Sequence, residues 1–345
     1  MKIEKRALTR LDRCYACNSI EVDGVTRILL ASEGKNACLA WSAPDYAESR
    51  VVWDEPGGTM SMVPIPGTNG EFLAVQKFFR MYDWEEAKIV HVRPLANGGY
   101  EASDVLHLPY IHRFDLLGAG GRLYFIACTL ATAKADKDDW SRPGKIWVGE
   151  YTGPGPLRIR VLREGLTQNH GYSRLARDGA ARGLVTCREG AFEVTPPAAP
   201  DGDWQLRQFM DWPISDIAAI DIDGDGEFEF ATIEPFHGQY FRIYKKIDGR
   251  FEKIFEHPEV SEFYHVVVGA TLAGEPVFIG GCRRGRQQLF YVRARRKAPL
   301  ELAAVLIEEG VGPSNACVVH EPRRDIIVAA NREKAEAALY FVTPG

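Results

Sequence analysis

The chain lacks long hydrophobic runs and an excess of basic charge. Its longest apolar stretches, such as IIVAA at 326–330, have the length of a strand, and the N-terminal segment has no apolar core of the kind that a secretory signal requires. Lysine and arginine total 42 against 47 aspartates and glutamates, which gives a net charge of −5. We therefore expect neither a membrane nor a nucleic acid as partner.

Cysteines are few and scattered, and patterns with the period of a helix are missing. The seven cysteines form an odd set without the regular spacing of a disulfide framework. Such a set in a chain of 345 residues is typical of reduced thiols, so we expect a cytoplasmic protein. In contrast, 33 glycines and 20 prolines indicate many turns.

Short runs with the composition of β-strands dominate the chain. Each has a turn before it and a polar loop followed by another strand after it. This unit recurs seven times, with the second-strand sequences RILLAS, EFLAVQ, RLYFIAC, GLVTC, EFEFATI, PVFIGGC and DIIVAAN.

The units repeat at a nearly regular interval. Equivalent positions near the start of each first strand are separated by 43, 52, 58, 46, 49 and 50 residues, and they fall at Cys17, Met60, His112, His170, Asp216, His265 and Asn315. Such spacing predicts an all-β fold, a seven-bladed β-propeller that forms a single domain over residues 1–345. Blades should begin near 15, 58, 110, 168, 214, 263 and 313, with residues 2–11 closing the last. A pair of β-sandwich domains is the alternative, but it explains the even period poorly.

Histidines recur at the start of the first strands, which should surround the central channel. His112, His170 and His265 occupy equivalent positions, and neutral imidazoles around an axis could hold a second divalent metal or act as bases. We interpret them as catalytic candidates, with Tyr172 and Tyr264 as proton donors. The alternative for each residue is an ordinary structural role.

Cations recur at the ends of the second strands, which should reach the same face. A basic ring of this kind would attract a small anionic or sugar-like ligand. The proposed ring contains Lys35, Lys77, Arg80, Lys134, Arg188, Arg283, Arg284 and Arg332. Asp216, Glu234, His237 and Asn315 are further candidates for substrate binding at this face.

An acidic loop, DIDGDGEFE, lies between two strands of the fifth unit. Its carboxylates fall at loop positions 1, 3, 5 and 9, that is, at Asp221, Asp223, Asp225 and Glu229. Gly226 permits a sharp turn and Glu227 offers a main-chain carbonyl, a pattern suited to Ca²⁺. An EF-hand is excluded because position 12 is Thr232 and strands flank the loop.

The segment DIAAIDIDGDGEFEF resembles the FG-GAP or VCBS-type repeat, a calcium-loop hairpin of integrin-like propellers. The resemblance implies a structural Ca²⁺ bound by the four carboxylates, on the face opposite the basic ring. A looser similarity, over DIDGDGEFEFATIEPFHG with the channel histidines, is to the propeller domain of aldos-2-ulose dehydratase. That similarity implies loss of water from a sugar that carries a carbonyl group.

Three functional hypotheses follow. The first is a carbon-oxygen lyase that performs β-elimination on a keto-sugar or uronate in the channel, with His265 or His170 taking the proton α to the carbonyl. The second is a non-catalytic propeller scaffold that binds a protein or glycan and carries a structural Ca²⁺. The third is a metal-dependent lactone hydrolase, which would use Glu33, Glu234, Asn315 and Asn331 as axial ligands.

Overall fold

The computed structural model describes residues 1–79, 83–177, 180–199 and 202–345. These residues form seven four-stranded antiparallel sheets, and the only helical element among them is a 3₁₀ turn at Trp84–Glu86. The sheets are the blades of a β-propeller, so the predicted fold class and number of blades are confirmed.

The first two strands of each blade are the inner ones. The first strands are β2 Cys14–Val22, β6 Met62–Pro64, β10 Ile111–Ala119, β14 Gly171–Arg177, β18 Asp216–Ile220, β22 Tyr264–Leu272 and β26 Asn315–Glu321. The second strands are β3 Val25–Ser32, β7 Phe72–Gln76, β11 Arg122–Ala131, β15 Ala180–Cys187, β19 Glu229–Glu234, β23 Glu275–Cys282 and β27 Arg324–Asn331.

The outer two strands complete each blade. The third strands are β4 Cys38–Ser42, β8 Lys88–Pro94, β12 Pro143–Tyr151, β16 Gly190–Thr195, β20 Tyr240–Ile247, β24 Leu289–Lys297 and β28 Glu336–Thr343. The fourth are β5 Ser49–Trp53, β9 Tyr100–His107, β13 Arg160–Leu166, β17 Gln205–Met210, β21 Arg250–Glu256, β25 Leu300–Glu308 and, from the opposite terminus, β1 Lys2–Arg10.

Strand β1 closes the ring. It pairs antiparallel with β28, with Lys2 opposite Thr343 and Arg10 opposite Glu336. The seventh blade therefore combines three C-terminal strands with one N-terminal strand, as predicted, and main-chain hydrogen bonds join the two ends of the chain. Closure of this kind covers a sheet edge that would otherwise be open to pairing.

The hydrophobic core is divided among the interfaces between blades. Seven apolar clusters of described residues each join two neighbouring blades, and the second strands are buried on both faces. In β7, for example, Phe72 and Leu73 point to opposite faces and both are fully buried. Continuous apolar runs such as EFLAVQ are explained by this burial.

Irregularities in three of the first strands shape the channel. The pairing of β2, β10 and β22 with their neighbours shifts by one residue near the strand start, and the residue left out of register is Tyr15, His112 and His265 respectively. Such bulges redirect a side chain. All three side chains line one cavity at an end of the channel.

None of the helices that the structure describes is long and apolar enough to cross a membrane.

Candidate functional site

A cavity of about 570 Å³ lies where the first strands begin and the second strands end. Among the residues that line it are four histidines and a tyrosine, His112, His170, His237, His265 and Tyr15. The histidines come from three first-strand starts and one loop after a second strand. The starts of the first strands and the ends of the second strands, which the repeat predicts to share one face, are therefore adjacent around this cavity.

Three of the histidines are oriented by hydrogen bonds from Nδ1. His170 Nδ1–H donates to Asp216 Oδ2 over 2.8 Å, and His265 Nδ1–H donates to the carbonyl oxygen of Ser314 over 2.5 Å. His112 Nδ1–H donates to the carbonyl oxygen of His170 over 3.1 Å. Each Nδ1 therefore carries a proton. In a neutral ring the other nitrogen, Nε2, is then unprotonated and has a free lone pair.

The Nε2 atoms converge. His170 Nε2 and His237 Nε2 are 3.1 Å apart, and one ring nitrogen each from His170, His237 and His265 lies within 4.8 Å of the other two. The Tyr15 hydroxyl is 3.3 Å from His265 Nε2 and 3.5 Å from His112 Nε2. Three imidazoles in this arrangement have the donor set of a transition-metal centre.

Burial controls the protonation of the cluster. It holds the pKa values of His112, His237 and His265 well below the ordinary histidine value, and the neighbouring imidazoles and arginines lower them further. These three rings are therefore neutral at pH 7 and able to donate lone pairs. Burial also raises the pKa of Tyr15 to about 12, so its hydroxyl keeps its proton.

A tight turn after β19 presents His237 to the cavity. The residue has a φ of 47°, in the left-handed region that residues other than glycine rarely adopt. Its ring stacks on Phe236 with centroids 4.0 Å apart and lies 4.5 Å from the Phe263 ring. A strained residue held by packing on two sides is typical of functional positions.

Aromatic side chains surround the histidines. The Phe236 ring also contacts Trp140, at a centroid distance of 5.0 Å, and His170, at 5.5 Å. Phe78 lies 5.3 Å from His112. These rings cover part of the cluster with apolar surface, which lowers the local dielectric constant and strengthens electrostatic interactions within it.

Two ion pairs stand in the cavity wall. Arg283 donates to Glu333 over 2.8 Å and lies over the Phe263 ring at 4.5 Å, and Arg332 pairs with the buried Glu33. Burial raises the pKa of Glu33, although Arg332 opposes that shift. The wall is thus polar and closely paired rather than a bare positive surface.

Lys134 is the third cation of the wall. Its ammonium lies 3.4 Å from the centre of the Trp140 ring and donates to the carbonyl oxygen of Asp139 over 2.6 Å. Burial lowers its pKa. Together with Lys137, Arg283 and Arg332 it gives the lining four cations against the two carboxylates of Glu33 and Asp138.

The other described members of the predicted basic ring lie outside the cavity lining. Lys35 and Arg188 are exposed. Lys77 pairs with Glu86 at 2.9 Å and Arg284 with Glu262 at 3.5 Å. Arg80 lies outside the described residues. Two of these cations thus have acidic partners within their own blades, and a repeat pattern does not reveal such pairing.

Three polar candidates have different surroundings. Asp216 orients His170 from behind the cavity. Glu234 is buried away from the cavity lining, where it accepts hydrogen bonds from Trp212, Thr232, Arg242 and Tyr244. Asn315 lies deeper in the channel, where its side-chain amide donates to the carbonyl oxygen of Tyr15 over 2.8 Å.

The structure does not bring the two tyrosine candidates to the histidines. The Tyr172 hydroxyl donates to Asp115 over 2.9 Å and lines a different cavity from the one that contains the histidines. Tyr264 is fully buried between blades, and its hydroxyl donates to the carbonyl oxygen of Glu259 over 2.6 Å. Tyr264 packs into the apolar cluster between the fifth and sixth blades, whereas the bulge at His265 turns that side chain into the cavity.

Arg113 crosses the channel beneath the histidines. Its guanidinium donates to the carbonyl oxygen of Met60 over 3.0 Å and to Asn315 Oδ1 over 3.1 Å, and it lies 5.9 Å from the centre of the Tyr15 ring. These contacts span three blades. The histidine cluster is thus open to the cavity on one side and backed by a cation on the other.

The acidic loop supplies oxygen ligands of the type that Ca²⁺ prefers, but a lysine already lies among them. Lys245 Nζ donates to one oxygen each of Asp223, Asp225 and Glu229, every distance being 2.7 Å. Asp221 is occupied by main-chain amides, including that of Gly226 at 2.9 Å. As arranged here, the residues do not fit the calcium ion that the FG-GAP resemblance implies, because an ammonium holds its place.

Tyr15 is the site residue that the repeat missed. The repeat places Cys17 at the equivalent position, two residues further along, although Tyr15 is the bulged residue of β2 just as His112 and His265 are in β10 and β22. The sequence also does not predict that Phe78, Trp140 and Phe236 line the site, since aromatic residues in loops follow no distinctive pattern. The histidines themselves, including His237, were candidates from sequence.

Comparisons with solved structures support the propeller. No protein-family model matches the chain, and no curated protein matches it in sequence. The structure is similar to that of Sqt1 from Saccharomyces cerevisiae, with a TM-score of 0.58 and 10% identity over 95% of this chain and 84% of that one. It is also similar to the Dos1 propeller, with a TM-score of 0.53 and 6% identity over 92% of this chain and 75% of that one.

At this level of identity the likeness is one of fold alone. It defines the chain as a β-propeller, and it does not show membership of the FG-GAP family or a relationship to aldos-2-ulose dehydratase.

Proposed function

We propose that this propeller binds a small anionic ligand in its cavity, against a divalent transition-metal ion coordinated by His170, His237 and His265. The observation that carries the proposal is the proximity of three imidazole nitrogens, all within 4.8 Å of one another, in the lining of one cavity. Binding is proposed ahead of catalysis because the likeness to Sqt1 and Dos1 extends to the fold and brings no reaction with it.

The hydrogen bonds behind the rings support a metal. Histidine ligands almost always donate their second N–H to a carboxylate or a carbonyl, as His170 does to Asp216 and His265 does to Ser314. Two nitrogens at bonding distance from a tetrahedral zinc ion are about 3.3 Å apart. The 3.1 Å between His170 Nε2 and His237 Nε2 is close to that spacing.

The nitrogen donors favour one group of metals. Imidazole suits zinc, iron, nickel and copper, whereas calcium and magnesium prefer oxygen. A centre with three protein ligands keeps a position open for a ligand or water. Here that position would face the cavity.

The walls of the cavity indicate the ligand. The four cations of the lining are accompanied by three carboxylates, Glu33, Asp138 and the adjacent Glu333, so the charge of a bound divalent metal would leave the site clearly positive and favour an anion. Aromatic faces such as Trp140 and Phe236 suit the apolar side of a sugar ring or another flat group. A volume of about 570 Å³ admits a molecule of the size of a mono- or disaccharide. A uronate or keto-acid sugar has this combination of features.

Calorimetric titration tests the proposal. Protein loaded with zinc is expected to bind a uronate, a keto-acid sugar or a sugar phosphate at least about tenfold more tightly than chelated protein, since a charge-assisted contact contributes roughly 1.5–3 kcal/mol. Replacement of the wall arginine, Arg283→Met, should weaken binding to a similar degree. The matched control is Arg284→Met, because Arg284 is exposed and lies outside the lining.

Two results would count against the proposal. One is equal affinity of the anions for metal-loaded and chelated protein. The other is an equal loss in the two arginine variants, which would place the anion on the outer surface instead of in the cavity.

A lyase that performs β-elimination on a keto-sugar or uronate is the second candidate, and Tyr15 is the observation that favours it. Its hydroxyl lies between His112 and His265, and His112 stands beside the three proposed ligands with its Nε2 free of a carbonyl or carboxylate partner. A bound metal would stabilise the negative charge of an enolate. His112 could then take the proton α to the carbonyl while Tyr15 protonates the departing oxygen. Ultraviolet absorbance of an unsaturated product in the same titration samples separates turnover from binding.

A further inference from the structure

The acidic loop between β18 and β19 carries its own cation. We propose that the side-chain ammonium of Lys245 takes the place of Ca²⁺ in this loop, so that the hairpin folds and persists without the metal. The inference concerns the opposite end of β18 from the histidine cluster and is independent of the proposed function.

Lys245 uses its whole hydrogen-bonding capacity in the loop. An ammonium has three N–H donors. They go to Asp223 Oδ2, Asp225 Oδ2 and Glu229 Oε1, each over 2.7 Å. The Lys245 side chain is 17% exposed, and those of Asp223 and Glu229 are 8% and 0% exposed. The Asp225 side chain is 48% exposed, so the ammonium and two of its three carboxylate partners are largely buried while the third lies at the surface.

The remaining oxygens have main-chain partners. Asp221 accepts hydrogen bonds from the amides of Gly224, Asp225 and Gly226. Glu229 Oε2 accepts one from the amide of Ile222 over 2.9 Å. Each carboxylate of the loop therefore has partners within the protein, which removes much of the reason for a metal to bind.

Calcium would have to displace the lysine. The ion requires six to eight oxygens at about 2.3–2.6 Å. Three of the carboxylate oxygens in the loop surround Lys245 Nζ. A calcium ion bound to the same oxygens would be repelled by the lysine ammonium. Lys245 lies on strand β20, where it pairs with Glu252 of β21 just beyond a register shift between Ile243 and Tyr244, and this pairing fixes its backbone. Its side chain directs the ammonium at the loop.

The test compares calcium binding and thermal unfolding of wild-type protein and Lys245→Met. The methionine keeps most of the length of the stem and removes the charge. In wild-type protein from which any transition metal has been removed beforehand, the unfolding midpoint should be the same in chelator and in calcium. The variant should unfold about 2–5 °C lower in chelator, recover part of that loss when calcium is added, and bind calcium at least about tenfold more tightly than the wild type does.

Lys246→Met is the matched control, because Lys246 is the next residue on the strand and is exposed. It should behave like wild type in both solutions. A wild-type protein that binds one calcium ion per chain with micromolar affinity would overturn the proposal whether or not the methionine variant folds. So would a Lys245→Met variant that gains no affinity for calcium.

Discussion

Replacement of His170 by alanine is expected to abolish metal binding, with a loss of affinity of well over about 100-fold, because a direct ligand is removed where even a supporting contact contributes 10–100-fold. His170 is the central member of the cluster. Its Nε2 is 3.1 Å from His237 Nε2, and its ring centroid is 5.5 Å from that of His265. Metal content per chain after loading and dialysis is the measurement.

The control is His320→Ala, since the side chain of His320 is 60% exposed on the outer surface and pairs with Asp325. It should keep one metal ion per chain. If His170→Ala also retained one ion per chain and unfolded like the wild type, the three-histidine centre would be wrong.

Replacement of Asp216 by alanine is expected to weaken metal binding by about 10–100-fold, because Asp216 is the group that orients His170. Without the carboxylate, Nδ1–H loses its acceptor and the ring is free to turn or change tautomer. The measurement is the metal dissociation constant, obtained by competition with a chelator of known affinity.

The conservative change separates positioning from bulk stability. Asp216→Asn keeps an oxygen acceptor but not the charge, so its affinity should fall between those of the wild type and Asp216→Ala. Equal metal affinities in all three proteins would show that Asp216 does not position His170. An equal loss of affinity in both variants, together with a lowered unfolding midpoint, would indicate a purely structural role.

The architecture could be predicted from sequence because a propeller repeats one unit. Each blade contributes one almost continuously apolar strand, such as RLYFIAC, that is buried on both faces, so seven such runs at an even period already define seven blades. The closing strand was predictable for a related reason, since the last unit is one strand short at its C-terminal end. These features depend on local composition and on period.

The site was only partly predictable. The repeat indicates which strand ends meet at one face, but it does not indicate where a β-bulge changes the direction of a side chain. His112, His170 and His265 were found from their equivalent positions. Tyr15 was missed because the repeat places Cys17, two residues further along, at the equivalent position, and no histidine marks the start of this strand. Tyr264 is next to His265 in the sequence, but the bulge turns only His265 into the cavity and Tyr264 packs between two blades.

Charge was the least predictable property. The ring of cations could be read from loop sequences, but their partners come from other loops and blades, as with Arg332 and Glu33, which are 299 positions apart. The acidic loop poses the same difficulty, since its partner Lys245 lies on a different strand and gives no sign in the motif itself.

The most direct test of the metal centre is an anomalous difference map from crystals of the protein loaded with zinc. The account predicts one peak in the cavity, about 2.0–2.1 Å from the Nε2 atoms of His170, His237 and His265. A cavity without such a peak, with His237 Nε2–H donating directly to His170 Nε2 in zinc-soaked crystals, would contradict it.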